Sequence, residues 1–126
     1  MSTELHPTIR LSVPADTASL QIVRLNVAAV AGGLDFDVDE VDDLKLAVEE
    51  LSAWLLGLPL TGDRLDIEID QHGAEVRVEG RRTGEADEVS LGDYLPVILE
   101  AVLDDFAAET HVGSVGFRMQ KQRSGG

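Results

Sequence analysis

Polar and apolar positions change period several times along the chain, and each change marks an element. Residues 9–13, Ile-Arg-Leu-Ser-Val, alternate as a strand with one buried face does, and Pro14 closes the run. From Ser19 the spacing turns helical: Leu20, Val23, Val27, Val30 and Leu34 fall on one face, and Gly32-Gly33 supplies the flexible backbone on which a helix ends. A second helix starts at Asp37-Val38-Asp39-Glu40, with Asp37 placed to cap and Glu40 to reciprocate. Its apolar ladder is Val41, Leu44, Val48, Leu51 and Leu55, and Gly57 and Pro59 stop it near Leu56. Alternation returns in Leu65, Ile67 and Ile69 and again in Val76 and Val78, which predicts a hairpin turning at Gln71-His72-Gly73.

Residues 80–94 show no period and carry three glycines, which predicts a long loop. Leu95, Ile98, Leu99, Val102, Leu103 and Phe106 then recur at helical spacing, with Pro96 tolerated in the first turn. Residues 109–112 and 115–119, on either side of Gly113-Ser114, read as a last pair of strands. The order predicts a two-layer α/β sandwich: a mostly antiparallel mixed sheet covered on one face by about three helices. A single domain over residues 1–126 is expected, with residues 1–7 and 122–126 disordered.

Composition narrows the function. A chain of 126 residues, 44% of them hydrophobic, holds one real core. Its net charge of −14 repels phosphate backbones and anionic lipid, so neither nucleic acid nor a membrane is an expected partner; the charge reads first as ordinary solvation of an acidic protein and second as a surface for a basic or mixed-charge protein. The absence of cysteine excludes disulfides and thiolate chemistry. No basic-then-apolar leader opens the sequence, and no apolar run reaches the roughly 18 residues of a membrane span, so a cytoplasmic protein is expected. The acidic run Asp35 to Glu40 begins like a calcium loop, but Glu40 stands where that loop turns on glycine and Leu46 where its bidentate glutamate belongs; helix capping accounts for these acids instead. His6, His72 and His111 lack metal-site spacing, Ser52 and Ser90 lack a nucleophile-elbow context, and there is no phosphate-binding Gly-x-x-x-x-Gly-Lys loop. Arg81-Arg82, the sole adjacent basic pair, reads as a solvated loop or as a contact for a phosphate or acidic partner.

Three segments together resemble one family. Ile9 to Ala15, a helix containing Arg24-Leu25-x-Val27, and Asp43-Leu-Lys-Leu-Ala-Val-Glu-Glu50 look like the N-terminal half of the anti-sigma-factor serine kinases of the GHKL ATPase superfamily. Leu95 to Phe106 and Gly113 to Lys121 resemble that family's last helix and strands. The resemblance implies a glutamate acting as base or water-orienter, an asparagine four residues on that holds magnesium, an aspartate after a strand that reads adenine, and glycine-rich turns for the phosphates. Glu50 matches the glutamate. Trp54 stands in the asparagine's place, where an indole, a donor only, offers no oxygen to a hard cation. The Asp-x-Gly position falls on Gly80-Arg81-Arg82, without its carboxylate, and the second glycine turn is reduced to Gly92. Glu50 is thus expected as a catalytic remnant, and Trp54, Gly80, Arg82 and Gly92 as positions of a former nucleotide site, with Trp54 plugging the pocket. No metal is expected. The function implied is an anti-sigma-like regulator acting by protein–protein binding, with a sigma factor or an anti-anti-sigma protein as partner and homodimerisation by analogy; no cofactor is expected. The alternative is a divergent serine-protein kinase that uses ATP and magnesium to phosphorylate an anti-anti-sigma partner. An assembly protein without a role in transcription is a third reading.

Overall fold

The computed structural model describes residues 8–124. In chain order its elements are β1 (Ile9–Pro14), a 3-10 turn (Thr17–Ser19), α1 (Leu20–Gly33), α2 (Val38–Leu56), β2 (Arg64–His72), β3 (Glu75–Thr83), α3 (Leu95–Val102), β4 (Asp105–His111) and β5 (Ser114–Gln122). The five strands form one sheet in the order β1-β2-β3-β5-β4. All four pairings are antiparallel, so the expected mixed character is absent. The helices cover one face. Leu65, Ile67 and Ile69 of β2, Val76 and Val78 of β3, and Val115, Phe117 and Met119 of β5 meet Val23 and Val27 of α1 and Leu44, Val48, Leu51 and Leu55 of α2 in a continuous core. The alternate residues of each strand form an open, charged face on the other side, where Arg10 pairs with Glu68, and Arg118 with Asp105 and Glu109.

Four boundaries differ from the pattern of the sequence. The hairpin turns at Gly73-Ala74, because His72 still pairs with Glu75, and Gly73 adopts the positive φ of +60° that a tight turn requires. The expected loop from residue 80 starts four residues later: Gly80, Arg81, Arg82 and Thr83 continue β3, held by β5 throughout and by β2 through Arg81. Pairing on both sides overrides the missing alternation there. Helix α3 ends at Val102 and not at Phe106; Leu103 turns extended, Asp104 donates its N–H to Gln120 O at 2.9 Å, and Phe106 sits in β4 opposite Met119. The C-terminal segment is ordered further than expected. Gln122 ends β5, Arg123 donates its N–H to Ala74 O at 2.8 Å, and Ser124 bonds Glu40. The disorder expected for residues 1–7, and for 125 and 126, lies outside the described residues, as does His6.

Glu40 joins the two ends of this architecture. Asp37 and Glu40 form the expected capping box at the start of α2. The Glu40 carboxylate also accepts from the N–H and the hydroxyl of Ser124, both at 2.8 Å. Hydrogen bonds from the Ser124 backbone first, then from its hydroxyl and from Asp37, hold this carboxyl below the ordinary glutamate pKa. A carboxylate with a depressed native pKa stabilises the fold above its unfolded pKa, and that contribution is lost as pH falls through the native value. Glu40→Gln is therefore expected to be less stable than the native chain at about pH 7, with the gap in urea midpoint narrowing towards about pH 3. A gap that stayed constant across that range would show that the ionised form is not the stabilising one.

Candidate functional site

The capping box fixes the start of α2 and hence the direction of every side chain after it. Leu44, Val48, Leu51 and Leu55 face the sheet. The neighbouring stripe carries Glu50 and Trp54, one turn apart, towards the segment that leads into α3. There the indole Nε1–H donates to the carbonyl of Ser90 at 2.9 Å. The Ser90 hydroxyl in turn accepts from the N–H of Gly92 at 3.0 Å, and Gly92 takes a φ of +82°, which only glycine holds without strain. Trp54 thereby ties the loop before α3 to the middle of the molecule.

Between α2 and α3 lies a cleft of about 440 Å³, bordered by Glu50, Ala53 and Trp54 on one side and by residues 91–95 and Ile98 on the other. Its charged side chains are Glu50 and Asp93, both acids. Glu50 is half-buried and makes no hydrogen bond or ion pair among the described residues. Its neighbour Glu49 is occupied, receiving Arg24 of α1 at 2.6 Å. A larger hollow, about 610 Å³, lies on the open sheet face, where Arg10 faces Glu68, Arg81 faces Glu79, and Asp66 adds a third acid; of the basic pair read from the sequence as a possible partner contact, Arg81 borders it and is paired with Glu79.

The structure brings together three of the five residues singled out in the sequence: Glu50, Trp54 and Gly92 border one cleft. Gly80 and Arg82 do not border it. Gly80 lies within β3, where the ring of Phe117 packs against its α-carbon so closely that an added Cβ would overlap the ring. Arg82 is neither a solvated loop residue nor a free cation. Its guanidinium donates to the carbonyls of Gly62, Leu55, Leu56, Leu58 and Leu60 at 2.8–3.2 Å, closing the end of α2 and the connection to β2. Ser52, exposed to chemistry in no sense, is fully buried and has no hydrogen-bond partner among the described residues. Asp93, Tyr94 and Ile98, which complete the cleft, escape a reading of the sequence because no period governs a loop and the helical stripe of α3 does not say which side is covered.

Trp54 is half-buried, so it walls the cleft and does not fill it as a plug. The loss on Trp54→Ala is accordingly expected at about 2 kcal/mol, below the 3–5 kcal/mol typical of a fully enclosed aromatic. Trp54→Phe, which keeps the ring and removes the bond to Ser90, should cost about 1 kcal/mol. Urea denaturation of the two variants measures both terms, and an alanine loss near 5 kcal/mol would restore the plug.

An antiparallel sheet with helices on one face, and a cleft between the long central helix and the segment entering the last helix, defines a two-layer α/β sandwich. Comparison with known proteins gives that class its members. Anti-sigma-F factor RsbW of Mycobacterium tuberculosis is 33% identical to the chain over 98 residues, covering 77% of the chain and 58% of that protein. Serine-protein kinase RsbW of Halalkalibacterium halodurans is 40% identical over 43 residues, 34% of the chain and 26% of that protein. In fold, the crystal structure of the RsbU and RsbW domains of Rv1364c from Mycobacterium tuberculosis matches 92% of the chain and 32% of its own length, with a TM-score of 0.73 at 13% identity. No protein-family model matches. Sequence and fold together make the chain a relative of the RsbW anti-sigma proteins. It spans 58% of the length of the Mycobacterium tuberculosis relative. Among the described residues no helix is long and apolar enough to cross a membrane.

Proposed function

We propose that the chain is an anti-sigma-like regulator, one histidine-kinase-like ATPase-type domain that acts by binding proteins in the cytoplasm and does not transfer a phosphoryl group. The observation that carries this reading is the lining of the cleft. It offers Glu50 and Asp93 and no lysine or arginine, and the position that should hold magnesium is an indole whose one polar atom is already bonded to Ser90. A triphosphate there would face two carboxylates without its metal, so the residues present do not suit Mg-ATP. Arg82, the nearest thing to a phosphate ligand in the sequence, is consumed by backbone carbonyls. The partner is a sigma factor or an anti-anti-sigma protein, in a bacterial stress response, as the names of the relatives suggest for the first of these.

One observation favours the second reading, a divergent serine-protein kinase: Glu50 has no protein partner among the described residues and borders the cleft, as a base would. Calorimetric titration with Mg-ATP separates the two. No heat of binding is expected up to about millimolar nucleotide; a clear micromolar isotherm would overturn the first reading. The regulatory role itself is tested by two-hybrid pairing against the sigma factors and anti-anti-sigma proteins encoded in the same genome, where failure of every pair would sink it.

A further inference from the structure

We propose that the cleft between α2 and α3 is a docking groove for a cationic amphipathic helix of a protein partner. The proposal rests on the regulatory reading and names the surface and the chemistry of the partner. Helix α3 turns a stripe of large apolar side chains to solvent: Tyr94 is 86% exposed, Val97 67% and Ile98 37%, at the i, i+3, i+4 spacing of one face. The facing helix repeats the feature. Leu46 of α2, 43% exposed, lies one turn before Glu50 and two before Ala53 and Trp54, so the apolar lining continues along α2 beyond the cleft. Tyr94 and Ile98 border the cleft itself, while Val97 and Leu46 carry exposed apolar surface along the two helices outside it; an apolar cleft extended in this way is the kind of surface in which a partner helix seats its own apolar anchors.

Charge then selects the occupant. Residues 84–102, the loop and helix that make one wall, contain five acidic side chains and no basic one. Glu50 and Asp93 stand at the cleft itself. None of the ten basic residues borders the cleft: Arg10, Arg64, Arg77, Arg81 and Arg118 project from the open face of the sheet, Arg82, Lys121 and Arg123 are engaged with backbone carbonyls, Arg24 of α1 pairs with Glu49, and Lys45 of α2 pairs with Asp42. A helix that sets lysine or arginine on either side of an apolar stripe complements both properties, whereas an anionic ligand is opposed by the wall it would have to pass.

Trp54 is the sole tryptophan of the chain and lines the groove, so its emission reports occupancy directly. The probe is a synthetic amphipathic helix of leucine and lysine, titrated into the full chain beside the same peptide with every lysine replaced by glutamate. The lysine peptide is expected to bind at about micromolar affinity, shift the Trp54 emission to the blue, and weaken as salt is added; the glutamate peptide should bind at least about ten-fold more weakly. Tyr94→Asp is the decisive variant, because Tyr94 both borders the cleft and is exposed. It adds negative charge, so a merely diffuse attraction would strengthen, while loss of the apolar anchor should weaken the lysine peptide by about ten-fold. Asp93→Asn, a solvent-exposed change that keeps side-chain size, should reduce affinity several-fold and flatten the salt dependence, which covers the case in which Tyr94→Asp fails to fold. Equal binding of the two peptides, or a Tyr94→Asp chain that binds the lysine peptide as well as the native one, would overturn the groove. The two readings fail separately: a sigma or anti-anti-sigma partner that pairs equally with native and Tyr94→Asp chains removes the groove and leaves the regulator, and absence of any such partner removes the regulator.

Discussion

Arg82→Ala is expected to lower the stability of the chain by about 3–4 kcal/mol, the largest loss of any single polar substitution in it. The guanidinium gathers five carbonyl oxygens: Leu55 and Leu56 at the end of α2, Leu58 and Leu60 in the descent from it, and Gly62 before β2. A helix leaves its last carbonyls without intrahelical partners, and no basic side chain of α2 itself stands in the last turn to meet them. Removing the fork withdraws a charge-assisted donor from each oxygen at once, in a part-buried site that water re-enters incompletely. Arg82→Lys is expected to recover less than half of the loss, because one ammonium cannot span carbonyls that a planar fork reaches from two sides. Urea midpoints of the three chains decide the matter. An alanine variant within about 1 kcal/mol of the native chain would show that solvent satisfies these carbonyls.

Gly80→Val is expected to cost about 3 kcal/mol or more, through packing and not through backbone freedom. Gly80 is paired in β3 with Ile67 on one side and Phe117 on the other, in an ordinary extended conformation. What requires glycine is the Phe117 ring, which is 1% exposed and occupies the space a Cβ would need. Enclosed among the other core side chains, the ring cannot swing away without disturbing Val78 and Met119. Phe117→Leu placed in the same chain should return a substantial part of the loss, so that the double-mutant cycle shows coupling of about 1–3 kcal/mol. Additive losses would mean that the valine is accommodated by strand displacement rather than by collision with the ring.

Much of this was legible in the sequence where one period ran long enough. The ladder Val41, Leu44, Val48, Leu51 and Leu55 and the alternation of Leu65, Ile67 and Ile69 mark elements whose burial follows from spacing, and all of these side chains are buried except Val41 at the start of α2, which is half-buried. Asp37 and Glu40 identified the first turn of α2 because capping is local chemistry. Gly80-Arg81-Arg82 defeated the same reasoning, since nothing in those residues announces a strand; β5, more than thirty positions later, makes them one. Phe106 completed a helical spacing by coincidence, and pairing of β4 with β5 took it instead. At the site, Glu50 and Trp54 were placed by helical arithmetic and by the resemblance. The acid Asp93 and the exposed ring of Tyr94 were not, because which side of a loop faces a helix is decided by tertiary packing.

The order of the sheet has one more consequence, for how these molecules behave beside one another. Among the described residues β1 and β4 are its outer strands, and neither is paired along its outer side, where backbone can template edge-to-edge joining of sheets. They are also its shortest, six and seven residues against nine for each of the three strands between them. β1 ends on Pro14, which has no N–H to lend, and β4 carries Asp105, Glu109 and His111 along its length. A neighbouring chain that approached either margin would find a brief ladder, interrupted by an imino acid or set with ionised carboxylates, so crowding such chains together does not offer them a common strand to extend.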